Sequence, residues 1–404
     1  MSDRLDFRDA IARHATLTVN WVSRLSGRGS GTVLGGTVGM KLSPRLFATL
    51  ARDRSIILVT GTNGKTTTTA MAATGWGGVV TTNATGSNMP AGHVAALASD
   101  WSPHVVLEVD EAWMPEVLET TRARVVVLLN LSRDQLDRAN EVRQMADRWR
   151  QAFEGSSRHT YTVVANANDP MVVYAAQLAR DVRWCDVPTQ WISDASSCPV
   201  CTESIHFDET GWSCNCGFER PKNVTTRLND HLSIDGIDVE LHLSLPGDFN
   251  RSNAAMALSA LRQLGVDPSG AAERMSKIES VAGRFSVRRW NGHHIRLLLA
   301  KNPAGFAAML STLDRDASDV WVAINARIAD GKDPSWLYDV PFEQLLGHRV
   351  FCFGDRRLDL ATRLDYAGVD YVVVDDESEL EECGEPVALL ANYTAFSDWL
   401  ARTR

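Results

Sequence analysis

The segment Ser55-Ile-Ile-Leu-Val-Thr60-Gly-Thr-Asn-Gly-Lys65-Thr-Thr67 constrains this chain more than any other. A β-branched apolar run ends in a glycine-rich turn, and Lys-Thr-Thr then opens a helix-compatible stretch. Strand, tight turn and helix in that order gather backbone N–H groups around one point, where an anion can bind. A lysine and a hydroxyl at the next two positions add a charge for the β- and γ-phosphates and a ligand for Mg²⁺. Gly61, Thr62, Asn63, Gly64, Lys65, Thr66 and Thr67 are therefore the nucleotide-binding candidates, with Thr66 also a Mg²⁺ ligand. The longer form of the motif has a glycine five residues before Gly64, where Val59 stands, so this loop is a shortened variant. An ordinary glycine turn is the competing reading. Four motif residues in register (Gly61, Gly64, Lys65 and Thr66) favour the phosphate loop.

A chain of 404 residues has the length for two or three domains. Its 44% hydrophobic and 23% charged residues are those of an ordinary globular protein. A net charge of −9 argues against a nucleic-acid binder, which needs a basic surface. No apolar run approaches the ~20 residues of a membrane span. Asp3, Arg4, Asp6, Arg8 and Asp9 interrupt any apolar signal core at the N-terminus. The expected compartment is the cytoplasm.

Residues 5–25 read as an amphipathic helix with Ile11, Leu17, Val19, Trp21, Val22 and Leu25 as apolar positions. Packing on the core is its expected role, and membrane-surface contact the alternative. Glycines at 27, 29, 31, 35 and 36 mark a loop. From Ser55 strands and helices alternate. Val105–Asp110 and Val125–Asn130 are continuous apolar runs with polar ends, as in buried parallel strands. Those polar ends fall where open α/β sheets bind ligands. Leu245–Leu258 reads as a turn followed by a helix. The first α/β unit ends near Val281–Phe285. A second follows, with strand-like runs at Ile295–Leu299, Val320–Ile324, Val350–Phe353 and Tyr371–Val374.

The cysteines supply a second signal. Cys198-x2-Cys201 and Cys214-x-Cys216, twelve residues apart, form two knuckles whose four thiolates suit a tetrahedral structural Zn²⁺. Disulfides are the competing reading, disfavoured in a reducing compartment. His206 is a substitute ligand if Cys214 falls out of reach. Cys185, Cys352 and Cys383 show no motif, and no cysteine sits in a glutaminase-like setting with His and acid partners.

Gly61-Thr-Asn-Gly-Lys-Thr66 resembles the ATP loop of the Mur ligase superfamily, which joins an amine to a carboxylate through an acyl phosphate. Further segments narrow the resemblance to its MurT-type branch: Thr85–Pro90, Leu107–Ala112, Asn130–Arg138, Cys216–Pro221, Lys301–Phe306 and Ala329–Trp336. They run in order from about residue 30 to about residue 395. The resemblance implies a Mur ligase-like P-loop ATPase domain at 1–287 with a four-cysteine zinc-ribbon insert at about 196–222. A smaller C-terminal Rossmann-like α/β domain follows at 288–404. About 50 residues precede the first strand, too few for the UDP-sugar domain of the amino-acid-adding members.

The resemblance also implies roles. Glu108 holds Mg²⁺, with Asp110 and Glu111 as weaker candidates. Asn250 and Asn253 approach the adenine, and Arg284 reaches the phosphates from the hinge. Lys301 and Asn302 contact nucleotide or substrate, since Leu298 and Lys301 replace an Asp and a His usual in the superfamily. Gln135 stands where many members have a metal-binding His. The second cysteine pair is one residue shorter than the usual Cys-x2-Cys. The implied reaction is ATP-dependent amidation of the D-glutamate carboxylate of lipid II at the inner face of the cytoplasmic membrane. A GatD-type glutaminase partner supplies the ammonia, and Asp339, or second Asp333, completes that partner's catalytic pair. Lys65 and Glu108 serve the ligase chemistry. The alternatives are a stand-alone amino-acid ligase of the folylpolyglutamate synthase kind and a non-catalytic nucleotide-dependent assembly factor.

Overall fold

A computed structural model of the chain describes residues 5–25, 32–83, 87–133, 141–155, 159–189, 191, 193–313, 319–375 and 387–403. Two helices, α1 (Phe7–Leu25) and α2 (Thr32–Leu42), and a short α3 (Leu46–Ala51) precede the first strand. Then follow β1 (Ser55–Thr60), α4 (Lys65–Trp76), β2 (Val80–Thr82), α5 (Pro90–Ser99), β3 (His104–Glu108), α6 (Met114–Thr121), β4 (Val125–Leu128) and α7 (Glu141–Gly155). The wind continues with β5 (Thr162–Asn166), α8 (Pro170–Ala176) and β6 (Val182–Asp186), and a small hairpin, β7 (His206–Asp208) with β8 (Gly211–Ser213), interrupts it. It closes with β9 (Val224–Leu228), β10 (Leu232–Ile234), β11 (Ile237–Val239), α9 (Asp248–Arg262) and α10 (Pro268–Met275).

These strands form one nine-stranded sheet in the order β11-β10-β9-β6-β5-β4-β1-β3-β2. It is parallel from β2 to β9 and antiparallel at the β9-β10-β11 edge. Alternation along β1 explains its burial on both faces. Ile57 and Val59 face a core shared with α4, α9 and α10, while Ile56 and Leu58 face α3, α5 and α6. β1 sits between β3 and β4, so the chain turns away on either side of its C-terminal end and leaves a crevice there.

The second sheet is built from β12 (Val287–Trp290), β13 (His293–Leu299), β14 (Asp319–Ala323), β15 (Arg349–Phe353), β16 (Tyr371–Val373) and β17 (Val387–Ala391). Its order is β12-β13-β17-β14-β15-β16, parallel except for the β12–β13 hairpin. Helices α11 (Pro303–Leu310) and α12 (Arg357–Ala367) cover the face continuous with the first core, and α13 (Tyr393–Arg402) covers the other. Three helices start in the same local way. Asp169, Asp267 and Asn302 each accept N–H bonds from the first turn, and a proline follows at the first helical position.

Helix α1 corrects the expectation from sequence. Its buried residues are Asp9, Ala12, Thr16, Asn20 and Ser23. Ile11, Trp21, Val22 and Leu25 face outward, and of the six expected apolar positions Leu17 packs against the core. The reason lies in α2, whose Gly35 and Gly39 come so close to α1 that a Cβ would fall 2.1 Å from Asn20 Oδ1 and Thr16 Oγ1. A contact that tight admits small side chains and excludes large ones.

Candidate active site

The loop between β1 and α4 is fastened to the end of β4. Gly61 has φ +138°, and a Cβ there would stand 2.9 Å from Leu129 Cβ and 3.0 Å from the backbone of Asn130. Thr62 N–H donates to Asn130 O (3.0 Å) and Asn63 N–H to Asn130 Oδ1 (2.9 Å). Asn130 Nδ2 returns a bond to Asn63 O, and Ser132 N–H donates to Thr62 Oγ1. Gly64, with φ +88°, caps α4 without a side chain, so the N–H groups of the first turn stay available to an anion.

Lys65 Nζ lies over this loop. It donates to Gly61 O (2.7 Å) and pairs with Glu111 (2.8 Å). Burial raises the Glu111 pKa, with the Lys65 charge pulling the other way. Lys65, Thr66, Thr67, Glu108, Asn253 and Arg284 line one cavity of about 150 Å³, where Lys301 also borders the opening. Burial lowers the Arg284 pKa, opposed by the charge of Glu108. Arg284 Nε is buried with no hydrogen-bond partner among the described residues. An unpaired guanidinium N–H beside a lysine and a carboxylate is the donor set that a Mg²⁺-bound polyphosphate satisfies. The residues present therefore fit Mg²⁺ and ATP, and Thr66 and Glu108, which line the same cavity, are the residues that could hold the metal.

Glu108 is held from behind. Asn83 Oδ1 accepts from its N–H and Asn83 Nδ2 donates to its carbonyl, both at 2.8 Å. A smaller adjoining cavity of about 110 Å³ shares Asn63, Phe249 and Asn253 with the first. Phe249 stacks on Phe285 with centroids 6.0 Å apart, giving a flat apolar wall between the sheets.

The two asparagines of α9 part company. Asn253 approaches Gly64, where a Cβ would meet its Oδ1 at 2.6 Å. Asn250 is fully buried, lines neither cavity and donates to Pro246 O (2.7 Å), so it holds the turn before α9 rather than facing a ligand. Asn302 caps α11 through Gly305 N–H (2.8 Å) and accepts from Asn63 Nδ2 (3.3 Å), joining the phosphate loop to the second sheet. Lys301 Nζ stands 5.3 Å above the Tyr393 ring. Gln135 and Thr85 lie outside the described residues.

Asp333 and Asp339 lie apart from this cavity's lining. Asp333 is exposed and accepts from Ser335 N–H (2.9 Å), just ahead of the 3₁₀ turn Ser335–Asp339. Asp339, at the end of that turn, pairs with Arg133 at 3.5 Å. Arg133 also bonds Asp194 at 2.5 Å, so one guanidinium spans both units.

The four cysteine sulfurs lie within 4.8 Å of one another. Cys198–Cys216 and Cys201–Cys214 are 3.7 and 3.4 Å apart. Four thiolates at about 2.3 Å from a tetrahedral Zn²⁺ stand about 3.8 Å from each other, so this donor set fits zinc. The short Cys214-x-Cys216 pair reaches the cluster, and His206 is not part of it. Trp212 anchors the lobe by donating to Ala167 O (3.0 Å).

Three roles are not evident from motifs. Glu111, a weaker metal candidate in the sequence, is the partner of Lys65. Asp169, besides capping α8, accepts from Leu131 N–H (2.8 Å) and so sets the strand end beside Ser132. Arg133 bridges the units. The Asp-Pro start of α8 is a visible cap signal, but the reach to Leu131 is a tertiary contact between positions far apart in sequence.

A shortened phosphate loop at the switch point of a parallel sheet, facing a second α/β unit across a cavity, is the architecture of one class of ligases. Residues 59–261 match the sequence profile of the Mur ligase middle domain, and the chain belongs to the Mur ligase family. Within it the likeness is to the MurT ligases: residues 299–396 match the MurT ligase C-terminal profile. The lipid II isoglutaminyl synthase (glutamine-hydrolyzing) subunit MurT of Staphylococcus aureus (strain COL) is 29% identical, over 91% of this chain and 90% of its own. The subunit of the same name from Streptococcus pneumoniae (strain ATCC BAA-255 / R6) is 28% identical, over 93% of each chain. Among solved structures, a pseudomurein peptide ligase type C from Methanothermus fervidus superposes with TM-score 0.65 at 18% identity, covering 86% of this chain and 78% of that one. That last likeness is one of fold.

Proposed function

We propose that the chain is the ligase subunit of a lipid II amidating enzyme, converting the D-glutamate α-carboxylate of the stem peptide to D-isoglutamine. The convergence of Lys65, Thr66, Glu108 and Arg284 on one cavity carries this reading. The carboxylate oxygen attacks the γ-phosphorus of ATP, and ADP leaves. Ammonia then attacks the acyl phosphate carbon, phosphate departs, and the nitrogen loses a proton. Two anions must meet in the first step, so cationic screening decides its rate. Lys65 and Arg284 supply fixed charge, and Mg²⁺ held by Thr66 and Glu108 would supply Lewis acidity there. The Phe249–Phe285 wall and Asn253 suit an adenine.

The chain divides on this reading into an ATP-binding domain (1–287) with a zinc-bearing insert and a C-terminal domain (288–404). The insert's zinc is structural, because four thiolates leave no open coordination position. No described helix is long and apolar enough to cross a membrane. On this reading the lipid-linked substrate is met at the inner face of the cytoplasmic membrane. Ammonia comes from a GatD-type glutaminase partner, whose catalytic pair Asp339 completes. The decisive assay mixes purified chain, ATP, Mg²⁺ and lipid II with ammonium chloride and follows the product by mass spectrometry. ATP-dependent amidation is expected. Its absence, in protein that binds ATP, overturns the reading in favour of an assembly factor.

A further inference from the structure

We propose that the outward face of the α1–α2 pair docks on an anionic lipid surface. Helix α1 is built inside out for a water-soluble helix. Its inner face carries Asp9, Thr16, Asn20 and Ser23, and Asp9 is satisfied by Ser43 Oγ (2.5 Å) and Thr49 Oγ1 (3.1 Å). Its outer face carries Phe7, Trp21 and Leu25, which are 83%, 61% and 69% exposed, with Ile11 and Val22 beside them. Val33, Leu34 and Leu42 of α2 are also exposed, so eight of the 21 exposed large hydrophobics among the described residues fall on this one helix pair. Polar and small groups between helices with large apolar groups outside is the arrangement of helices solvated by lipid rather than by water.

Charge selects the occupant. Residues 1–52 carry eight Lys and Arg against three Asp, a net of +5 in a chain whose net charge is −9. Among the described residues of this segment Arg8, Arg24, Lys41, Arg45 and Arg52 are exposed against Asp6 alone. Arg8 Nε donates to Leu42 O (2.7 Å), which fixes a cation beside the apolar stripe. A basic helix with Trp, Phe and Leu on its open face lies in the plane of an anionic membrane, with the rings and aliphatic groups at the headgroup boundary and the cations among the headgroups. Neither helix is long and apolar enough to span, so the contact is peripheral.

The test is co-sedimentation of the full chain with vesicles of phosphatidylglycerol and phosphatidylcholine, compared with phosphatidylcholine alone. The vesicles contain no lipid II, so the outcome is independent of the amidation reading. Binding to the anionic vesicles, weakened by salt, is expected. Trp21→Ser with Leu25→Ser, checked for an unchanged thermal melt, should weaken partitioning by about tenfold or more. Arg8→Glu with Arg24→Glu should remove most of the salt-sensitive part. Absence of binding to anionic vesicles, or equal binding by wild type and both variants, overturns the proposal. Self-association that the Trp21/Leu25 variant abolishes, without vesicle binding, also overturns it and assigns the face to a second copy of the chain.

Discussion

Lys65→Ala should lower ATP turnover by about 10²-fold or more while leaving the fold intact, because Lys65 is bonded across the phosphate loop and sits at the rim of a cavity rather than in a core. A folded variant with wild-type turnover would remove the loop from the chemistry. Asp169 supports a pH prediction. Burial pushes its carboxyl up to about 6, against three N–H donors that favour the charged form. A carboxyl whose folded pKa exceeds its unfolded value of about 3.9 holds its proton more tightly when folded. Its contribution to stability is therefore greatest below about pH 4 and is lost as pH rises to about 6, a span worth about 3 kcal/mol. Asp169→Asn cannot titrate, and it turns an amide NH₂ or leaves an unbonded N–H toward Leu131 or α8. Urea unfolding should show the variant destabilised by about 1–3 kcal/mol at pH 7.5 and by more at pH 5. A cost independent of pH would mean that Asp169 titrates like a solvated acid.

At the level of elements, the cysteine lobe makes its own prediction. Purified without chelator, the chain should contain about one zinc, and Cys198→Ser should lose it and loosen the lobe, because structural zinc contributes folding free energy directly. Atomic absorption and thiol titration decide the matter: four titratable thiols without metal would sink the site. The knuckles were readable in sequence because their spacing is local. So was the β1–loop–α4 unit, where strand, glycines and Lys-Thr are contiguous. The strand-like runs of the second unit likewise match β13 to β16 to within a residue or two. The strands β10, β11 and β12 are short and carry polar residues, and periodicity does not separate them from loops. The orientation of α1 was not readable either. Its outcome depends on Gly35 and Gly39 of another helix, which permit an approach that turns the usual apolar-inward rule around. Asn250 and Asn253 show the same limit: three residues apart on one helix, one serves a turn and the other a cavity.

On the proposed reading the whole molecule activates a carboxylate, and its sequence shows no glutaminase motif around a cysteine. Alone it should use ammonium and ignore glutamine, and a glutaminase partner should make glutamine competent. Asp339→Asn should then depress the glutamine-driven rate about 10³-fold or more while sparing the ammonium-driven one, since an amide cannot orient and stabilise the partner's imidazolium. Asp339 also pairs with Arg133, so Arg133→Ala is the control. Equal loss in both reactions for both variants would assign Asp339 to the junction between the units, and no loss would shift the role to Asp333. That junction has a second tie, between Asn63 and Asn302. Asn302 Oδ1 is shared by the cap of α11 and by a side chain of the phosphate loop 239 residues earlier. The loop is thus tied to the first turn of α11: a movement that separates the sheets should break the shared bond, and if the loop holds nucleotide, reciprocity makes its affinity and the interdomain angle draw on one free energy. Amide exchange at Gly305, a residue of α11 one turn past that cap, becomes a gauge of nucleotide occupancy.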